Sequence, residues 1–252
     1  MQLENKVAIV TGAARGLGRA YAEAMAAEGA SVLACDVNDC SETVAAITAA
    51  GGKAVSTITN ISDMDSCQAM ADLAVASYGK IDVLVNNAAL YGGLKNARFE
   101  KLEEEQWDRV MNVNVKGLWQ TCKAVVNPMR EAGGGSIINI SSLAAVYGLA
   151  YGMDYAVSKA AVIGMTRSMS RELGNDNIRV NAVAPSAVMT EGTSEFFGEK
   201  LEKAKSAIAA GQVIRRNLET SDLTGTIIYL ASDNSAFVTG QTHMVDGGSW
   251  FL

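Results

Sequence analysis

The sequence predicts an α/β fold, a doubly wound parallel sheet of seven strands with helices on both faces, formed by residues 1–252 as a single domain. Short apolar runs recur with room for a helix between them, at Val7–Val10, Ser31–Cys35, Ala54–Ile58, Val83–Val85, Ile137–Ile140, Val180–Val183 and Thr242–Val245. Alternating strands and helices indicate a parallel sheet. Runs such as VAIV are almost continuously apolar, as expected for strands that are covered on both faces.

The predicted helices carry start and stop signals. Residues 17–28 place apolar side chains at the i, i+3, i+4 spacing of a packed helix, and Gly29 is expected to end that helix. Ser62 and Asp63 can cap a second helix, which should run to about Tyr78. These signals support helices between the strands.

Residues 186–217 depart from this alternation. The segment lies between the sixth and seventh predicted strands and contains Phe196, Phe197, Leu201 and Ile208 among charged residues. An inserted helical lid over a ligand is expected at this place in the chain, and an ordinary pair of surface helices is the alternative.

Length and composition favour one ordered domain. A chain of 252 residues with 49% hydrophobic content can bury one large core, and it has only two prolines. The formal charge is -6 with scattered Lys and Arg, so no nucleic-acid partner is expected. The sequence shows neither a basic leader with an apolar segment nor an apolar stretch of about eighteen residues, so we expect a cytoplasmic protein with no membrane partner.

Metal binding is not expected either. The four cysteines, Cys35, Cys40, Cys67 and Cys122, lack CxxC spacing, and His243 is the only histidine. A zinc site of the usual Cys/His kind cannot be assembled from these residues. Reduced thiols are the simpler interpretation.

A glycine-rich turn, TGAARGLG, follows the first strand and precedes the first helix. Gly12, Gly16 and Gly18 allow the backbone to approach a pyrophosphate closely, and the helix start offers free amide donors. Three nearby glycines alone could form a plain structural turn. Because this turn joins a strand to a helix, the sequence favours dinucleotide binding.

Asp36 closes the second predicted strand, eighteen residues after Gly18. A carboxylate there can accept both adenosine ribose hydroxyls and would repel an added 2′-phosphate, which favours NAD over NADP. Arg15 is the contrary sign, because a guanidinium in the glycine turn could reach a phosphate. If Asp36 is only a turn carboxylate, the cofactor preference stays open.

Tyr155 and Lys159 share one helix face in YAVSK, and Ser142 follows the fifth strand in INISS. A phenol has an ordinary pKa near 10, so it exchanges a proton at neutral pH only if a neighbouring charge stabilises its phenolate. A lysine ammonium can lower the phenol pKa in this way, and Ser142 can donate to the reacting oxygen. Either motif alone is more often structural, whereas both together after a nucleotide-binding turn indicate hydride and proton transfer.

The chain resembles the short-chain dehydrogenase/reductase family along essentially its whole length. The matching stretches are TGAARGLG, Asp36, NNAA at residues 86–89, Asn114 in MNVNVKG, Ser142 in INISS, YAVSK, RVNAVAP leading to Thr190, and TGQTHMVDGG. The resemblance implies a Rossmann-type fold and a homotetramer. It also implies that the closing WFL packs against a neighbouring subunit.

The resemblance implies four catalytic residues. Tyr155 is the general acid/base, Lys159 lowers its pKa and binds the nicotinamide ribose, Ser142 donates to the substrate oxygen, and Asn114 supports a water-linked proton path from Lys159. The cofactor residues that the turn, the spacing and the resemblance predict together are Gly12, Arg15, Gly16, Leu17, Gly18, Asp36, Asn60, Ile61, Asn87, Ala88, Ala89, Tyr155, Lys159, Pro185, Val188 and Thr190.

Three stretches differ from the usual family pattern. NNAA lacks the common final glycine, and Asn60-Ile61 stands where an aspartate commonly contacts the adenine. Ser186 in APS replaces a common glycine and is expected to bend the substrate loop differently. Cofactor binding is still expected, since Asn60 can bond through its amide.

We therefore predict an NAD-dependent oxidoreductase that interconverts a secondary alcohol and a ketone. The predicted substrate-pocket residues are mostly apolar or aromatic, which indicates a hydrophobic, cyclic or aryl substrate; they are Ser142, Tyr155, Tyr91, Val146, Tyr147, Tyr151, Met153, Met189 and Phe196. A 3-oxoacyl thioester reductase is the rival enzyme, and Asp36 and the acidic pI of 4.9 oppose it. A catalytically silent NAD-binding redox sensor is the rival of another class.

Overall fold

The computed structural model describes residues 1–251, and its architecture confirms the predicted fold class. Seven parallel strands form one sheet in the order β3-β2-β1-β4-β5-β6-β7. Each predicted apolar run lies within one strand; the strands are β1 (Val7–Thr11), β2 (Ser31–Asp36), β3 (Lys53–Ile58), β4 (Val83–Asn86), β5 (Gly135–Ile140), β6 (Ile178–Pro185) and β7 (Thr242–Val245).

Helices connect the strands and cover both faces of the sheet. They are α1 (Gly16–Ala27), α2 (Ser41–Ala49), α3 (Met64–Tyr78), α4 (Glu104–Met111), α5 (Leu118–Glu131), α6 (Ala144–Tyr147), α7 (Met153–Leu173), α8 (Glu191–Phe197), α9 (Leu201–Gly211) and α10 (Ser221–Ala231). One π-helical segment, Asn112–Gly117, joins α4 directly to α5.

Two hydrophobic cores lie on opposite faces of the sheet. Val10 of β1 packs with residues of α1 and α10, whereas its neighbour Ile9 packs with residues of α3, α5 and α7. Successive side chains of a strand point to opposite faces, so the continuous apolar run VAIV supplies both cores. The prediction of a doubly covered sheet is thus confirmed at the level of single residues.

The strand order reverses at β1, which pairs with β2 on one side and β4 on the other. Open α/β sheets bind ligands in the crevice outside the carboxyl ends of the strands at such a switch point. The turns after β1 and β4 therefore meet at the place where a ligand is expected.

The predicted helix signals are found where the sequence placed them. Asp63, rather than Ser62, caps α3 by accepting a hydrogen bond from the Asp65 amide at 3.1 Å. Gly29 follows the end of α1 with φ of 94°. A side chain other than glycine is strained at such an angle, which explains why a glycine stands at this helix end.

Residues 186–217 contain α8 and α9, which are joined by a short turn at Gly198–Lys200. No helix in residues 1–251 is long and apolar enough to span a membrane. Of the closing WFL, Trp250 and Phe251 are exposed, and Leu252 lies outside the described residues.

Candidate active site

The glycine-rich turn between β1 and α1 has no room for a side chain at Gly12 or at Gly18. Gly12 and Gly16 adopt φ of 68° and 56°, in the left-handed region. A Cβ atom added to Gly18 would overlap the carbonyl oxygen of Gly12 and lie 2.6 Å from the Asn87 side-chain nitrogen. The backbone of the turn is therefore packed as tightly as a close-approaching ligand requires.

The start of α1 is open to an anion. Arg15 is its N-cap residue, but no side chain of the described chain caps this helix, and its first turn has no acidic residue. The free amide groups and the helix dipole therefore favour a negatively charged group here. Together with the tight glycine packing, this arrangement fits the pyrophosphate of a dinucleotide.

Asn87 braces the glycine turn from the end of β4. Its side-chain amide donates to the carbonyl oxygens of Thr11 and Gly12 at 3.0 and 3.2 Å. The Thr11 hydroxyl in turn accepts from the backbone amides of Asn87 and Ala88, both at 3.0 Å. In this structure the Asn87 amide thus shapes the turn, and its direct contact with the cofactor stays a prediction.

Asp36 lies at the carboxyl end of β2, beside the glycine turn. One carboxylate oxygen accepts from the Ala14 amide at 3.2 Å, and the other accepts from the backbone and side chain of Asn38 at 3.0 and 3.2 Å. Each carboxylate oxygen can accept more than one hydrogen bond, so the group keeps capacity for ribose hydroxyls.

A cavity of about 440 Å³ opens beyond the carboxyl ends of β5 and β6. The structure brings many of the predicted cofactor and substrate residues to its wall: Leu17, Asn87, Ala89, Tyr91, Ser142, Tyr147, Tyr155, Lys159, Pro185, Val188, Thr190 and Phe196. These residues come from the start of α1, the loops after β4, β5 and β6, the end of β6, and helices α6, α7 and α8. The cavity thus joins the predicted nucleotide-binding turn to the predicted reacting groups.

Tyr155 and Lys159 lie one turn apart on α7 and both face this cavity. They are 9% and 4% exposed. The Lys159 ammonium donates to the carbonyl oxygen of Ile140 at 2.8 Å and lies 5.8 Å from the centre of the Tyr155 ring. The helical spacing therefore places the cation beside the phenol, as predicted.

Burial dominates the pKa of Tyr155 in this structure, and the lowering that was assigned to Lys159 stays a prediction. Burial raises the pKa of Tyr155 above its ordinary value, the Tyr91 phenol raises it further, and a hydrogen bond with Ser142 lowers it in part. Burial also lowers the pKa of Lys159 to about 8. Loss of water disfavours the charged form of both side chains.

Lys159→Met is expected to stabilise the protein at pH 7 by up to about 3 kcal/mol, with a smaller gain at higher pH. Because the Lys159 pKa is about 8 when folded against an ordinary 10.5, the unfolded chain binds more protons between these values. Wild-type stability should therefore rise with pH through this interval relative to the variant. Urea unfolding at pH 7 and at about 9.5 measures the difference.

The matched control for this measurement is Lys203→Met, which removes an exposed lysine of α9. Its effect should be small and similar at both pH values. A Lys159→Met gain that does not change with pH would contradict burial of the ammonium as the cause.

Asn114 lies in the π-helical segment and connects the loop after β4 to α7. Its side chain donates to the Leu90 carbonyl and the Ser158 hydroxyl, both at 3.1 Å, and accepts from the Leu90 amide at 2.7 Å. The side-chain amide of Asn114 is therefore hydrogen-bonded to the Leu90 backbone and to Ser158 of α7. The water-linked path from Lys159 that the resemblance implies stays a prediction.

Aromatic rings form one wall of the cavity. Tyr91 stacks on Phe196 with 4.7 Å between ring centres, and it lies 5.0 Å from the Tyr155 ring. Phe197 packs edge-on against Phe196 at 5.2 Å. Offset and edge-on pairs of this kind hold the rings in place, so the wall is preformed.

Several predicted residues do not reach the cavity wall. Tyr151 is 61% exposed with φ of 67°, and Met153 is 37% exposed, although both are close to Tyr155 in sequence. Val146 is also absent from the wall, and Met189 lines a separate cleft between α1 and α8. These four residues were predicted as candidates for the substrate pocket, and the structure places them away from the cavity wall.

The remaining predicted cofactor residues also lie off this wall. Asn60 is exposed at the end of β3, whereas Ile61 is 6% exposed and packs in the core against Gly117. Gly12 and Gly18 pack against the Asn87 side chain, and Ala88 lies beside Gly12. Arg15 forms an ion pair with Glu195 of α8.

Sequence reasoning missed part of the wall. The cavity is also lined by Leu149, Thr193, Phe197, Ala204, Ala207 and Ile208. The spacing of Ala204, Ala207 and Ile208 is that of one helix face, so the helical pattern of α9 held the signal. Ser186 is also on the wall, and its hydroxyl lies 3.0 Å from the side-chain amide of Gln212 at the end of α9.

The fold and the site together define a class of protein. A Rossmann-type sheet with a glycine turn at its switch point binds dinucleotides, and a buried Tyr-Lys pair beside that crevice suits proton transfer coupled to hydride transfer. The residues therefore fit an oxidoreductase that uses a nicotinamide cofactor.

Comparison with known proteins identifies the family, and the chain belongs to the short-chain dehydrogenase/reductase family. Residues 12–249 match the family model described as enoyl-(acyl carrier protein) reductase. A 3-oxoacyl-(acyl-carrier-protein) reductase of Thermotoga maritima is 40% identical over 98% of this chain and 99% of that protein. Galactitol 2-dehydrogenase of Agrobacterium fabrum is 38% identical over 99% of each chain.

A solved structure agrees in fold over the same extent. Carveol dehydrogenase of Mycobacterium avium, in complex with NAD, has a TM-score of 0.93 at 28% identity and covers 98% of each chain. The family prediction and the predicted nicotinamide chemistry are therefore confirmed, and this chain is an oxidoreductase of that family.

Proposed function

We propose that this protein is an NAD(H)-dependent oxidoreductase that interconverts a hydrophobic, cyclic or aryl secondary alcohol and its ketone. The observation that carries the proposal is the cavity at α7, where Tyr155 and Lys159 meet a wall of aromatic rings next to the glycine turn. A site of this kind pairs a proton-transfer group with an apolar surface for the substrate.

In alcohol oxidation, Tyr155 as phenolate accepts the proton of the substrate hydroxyl. Ser142 donates a hydrogen bond to the same substrate oxygen, and the positive charge of Lys159 opposes the effect of burial, which raises the Tyr155 pKa. The pKa of Lys159 is lowered only to about 8, so the ammonium remains mostly charged at neutral pH. Bound NAD supplies the hydride acceptor, and in ketone reduction Tyr155 returns the proton.

The proposed catalytic set is Asn114, Ser142, Tyr155 and Lys159. Asn114 supports a water-linked proton path from Lys159, and its bonds to Ser158 and Leu90 fix its side chain between α7 and the loop after β4. A silent NAD-binding sensor would not need all four residues, which is why we favour an enzyme that turns over substrate.

The cavity wall favours a ring-bearing substrate over a polyol. Leu149, Phe196, Phe197 and Ile208 present hydrocarbon to the substrate space. A polyol such as galactitol loses water at each hydroxyl on binding and needs a polar partner for each. An alicyclic alcohol such as carveol needs one polar partner for its hydroxyl and apolar contacts for its ring.

A 3-oxoacyl thioester reductase is the second candidate, because the Thermotoga maritima relative that carries that name is 40% identical. The net charge of -6 opposes docking of an acidic carrier protein. The stacked rings of Tyr91 and Phe196 also suit a ring-bearing substrate better than a flexible acyl chain.

NAD is proposed over NADP because of Asp36. Its carboxylate lies at the end of β2 and is fixed by the Ala14 amide beside the glycine turn. A negative charge at this position accepts ribose hydroxyls and repels a 2′-phosphate.

We also propose that residues 186–217 form a lid over the cavity, that the enzyme works in the cytoplasm, and that it assembles as a homotetramer. Phe196 of α8 and Ile208 of α9 line the cavity, which supports the lid. The tetramer rests on the family resemblance, and a monomer mass by light scattering at micromolar concentration would contradict it.

The test of the proposed function is a panel of initial rates with NAD and with NADP. Oxidation of 1-phenylethanol, cyclohexanol and galactitol is compared with reduction of a 3-oxoacyl thioester. We expect kcat/KM for the ring alcohols with NAD to exceed that for galactitol by about 100-fold. Preference for galactitol or the thioester, or equal use of NADP, would overturn the corresponding part of the proposal.

A further inference from the structure

Arg15 is the only cation in the glycine turn at residues 11–18, and it is held by a carboxylate from the lid. Its two terminal nitrogens donate to the two carboxylate oxygens of Glu195 in α8, at 2.5 and 3.0 Å. This two-point geometry is the strongest arrangement that an arginine makes with a carboxylate. The guanidinium is therefore turned toward the lid.

Glu195 is fixed from its other side by the loop after β4. A Cβ atom added to Gly92 would overlap the Glu195 carboxylate, so the carboxylate lies directly against the backbone there. The Glu195 carboxylate thus bridges the glycine turn and the loop after β4, and the absence of a side chain at residue 92 makes this approach possible.

Arg15 is also next in sequence to the residue that Asp36 contacts. The Asp36 carboxylate accepts from the amide of Ala14, so the carboxylate and the base of the Arg15 side chain lie at the same end of the crevice. An arginine near this point accommodates the 2′-phosphate in proteins that bind NADP. Here the arginine is present, but Glu195 takes one N–H donor of each terminal nitrogen and holds the guanidinium toward the lid.

The carboxylates around Arg15 also disfavour a 2′-phosphate. Glu195, followed by Glu191 and Asp36, raises the pKa of Arg15, and Arg15 lowers the pKa of Glu195. One guanidinium therefore faces three carboxylates. A 2′-phosphate entering here would meet a net negative charge.

We propose that Glu195 is a cofactor-selecting residue, which withholds the Arg15 guanidinium from a 2′-phosphate and thereby adds to the NAD preference that Asp36 creates. The inference rests on the proposed function and names a second determinant of its cofactor choice, contributed by the lid. Since the ion pair is exposed, with side chains 56% and 43% accessible, its loss should change affinity without unfolding the chain.

The test measures binding of NAD, NADP, 5′-ADP and 2′,5′-ADP by titration calorimetry, with no substrate present. The variants are Glu195→Gln, Arg15→Met and the double variant, and Glu199→Gln is the control because it removes an exposed carboxylate of the same segment. Glu195→Gln keeps the shape of the side chain and removes its charge.

We expect Glu195→Gln to tighten NADP and 2′,5′-ADP by about fivefold, with NAD and 5′-ADP within about twofold of wild type. The double variant should lose this gain, because the gain depends on the freed Arg15, and Glu199→Gln should show none. The inference would be overturned if Glu195→Gln raised the affinity for all four ligands by the same factor. It would also be overturned if the double variant kept the raised affinity for NADP. If wild type binds NAD but Glu195→Gln does not bind NADP more tightly than wild type does, this inference alone is overturned. If wild type binds no dinucleotide, the proposed function is overturned as well.

Discussion

Tyr155→Phe is expected to lower kcat/KM for oxidation of a ring alcohol by about 1000-fold while NAD affinity stays within about twofold. The variant removes only the hydroxyl that exchanges the proton. The ring remains, and it packs 5.0 Å from the Tyr91 ring in a 9% exposed position, so the variant should fold. Stopped-flow or steady-state rates at saturating NAD, together with calorimetric NAD binding, measure the two quantities separately.

Tyr147→Phe is the matched control for this variant. Tyr147 lines the same cavity but is 54% exposed. Its loss of a hydroxyl should change kcat/KM by less than about tenfold, since we assign it no proton transfer. Equal rates for Tyr155→Phe and wild type would remove Tyr155 from the mechanism, and parallel losses in both variants would indicate a general effect on the pocket.

Gly18→Ala is expected to abolish NAD binding at ligand concentrations about 100-fold above the wild-type Kd, and to destabilise the fold by about 3 kcal/mol. The added methyl group overlaps the Gly12 carbonyl oxygen and crowds the Asn87 side chain at 2.6 Å. These atoms are backbone and a braced amide, so the turn must open. Calorimetric titration with NAD and urea unfolding report the two effects.

Gly164→Ala in α7 is the control, because a Cβ atom there meets nothing within 4 Å. Alanine favours helix over glycine by up to about 1 kcal/mol, so this variant should be as stable as wild type or more so. Wild-type NAD affinity in Gly18→Ala would show that the close packing of the turn is not needed for the cofactor.

The sheet was predictable because its signal is local. VAIV, VLV and the other apolar runs identify strands on their own, and the helix signals between them imply parallel pairing. The Tyr155-Lys159 pair was predictable for the same reason, since a separation of four residues on a helix places both side chains on one face. No distant contact had to be known for either prediction.

The wall of the substrate cavity was less predictable. Tyr151 and Met153 were predicted to line it, and they lie outside it. Leu149 and Ala204 were not expected there and do line it. A cavity wall is assembled from residues far apart in sequence, so proximity along the chain carries little information about it.

The pKa values of Tyr155 and Lys159 also depend on burial. Sequence spacing placed the Lys159 ammonium near the Tyr155 phenol and predicted a lowered phenol pKa. Burial instead raises the pKa of Tyr155 and lowers that of Lys159 to about 8. Desolvation depends on everything that surrounds a group, whereas helical spacing specifies only one neighbour.

By itself, the sequence determined the seven-stranded parallel fold, the glycine turn, the Tyr-Lys pair and the family, because each of these depends on residue types at short, regular spacing. Only the tertiary structure decided that Glu195 holds Arg15, which lies 180 residues earlier in the chain, and that Asn87 braces Gly12 across the switch point. Such contacts arise when the carboxyl ends of distant strands converge at one edge of the sheet. Their geometry follows from packing and is not written in any single stretch of residues.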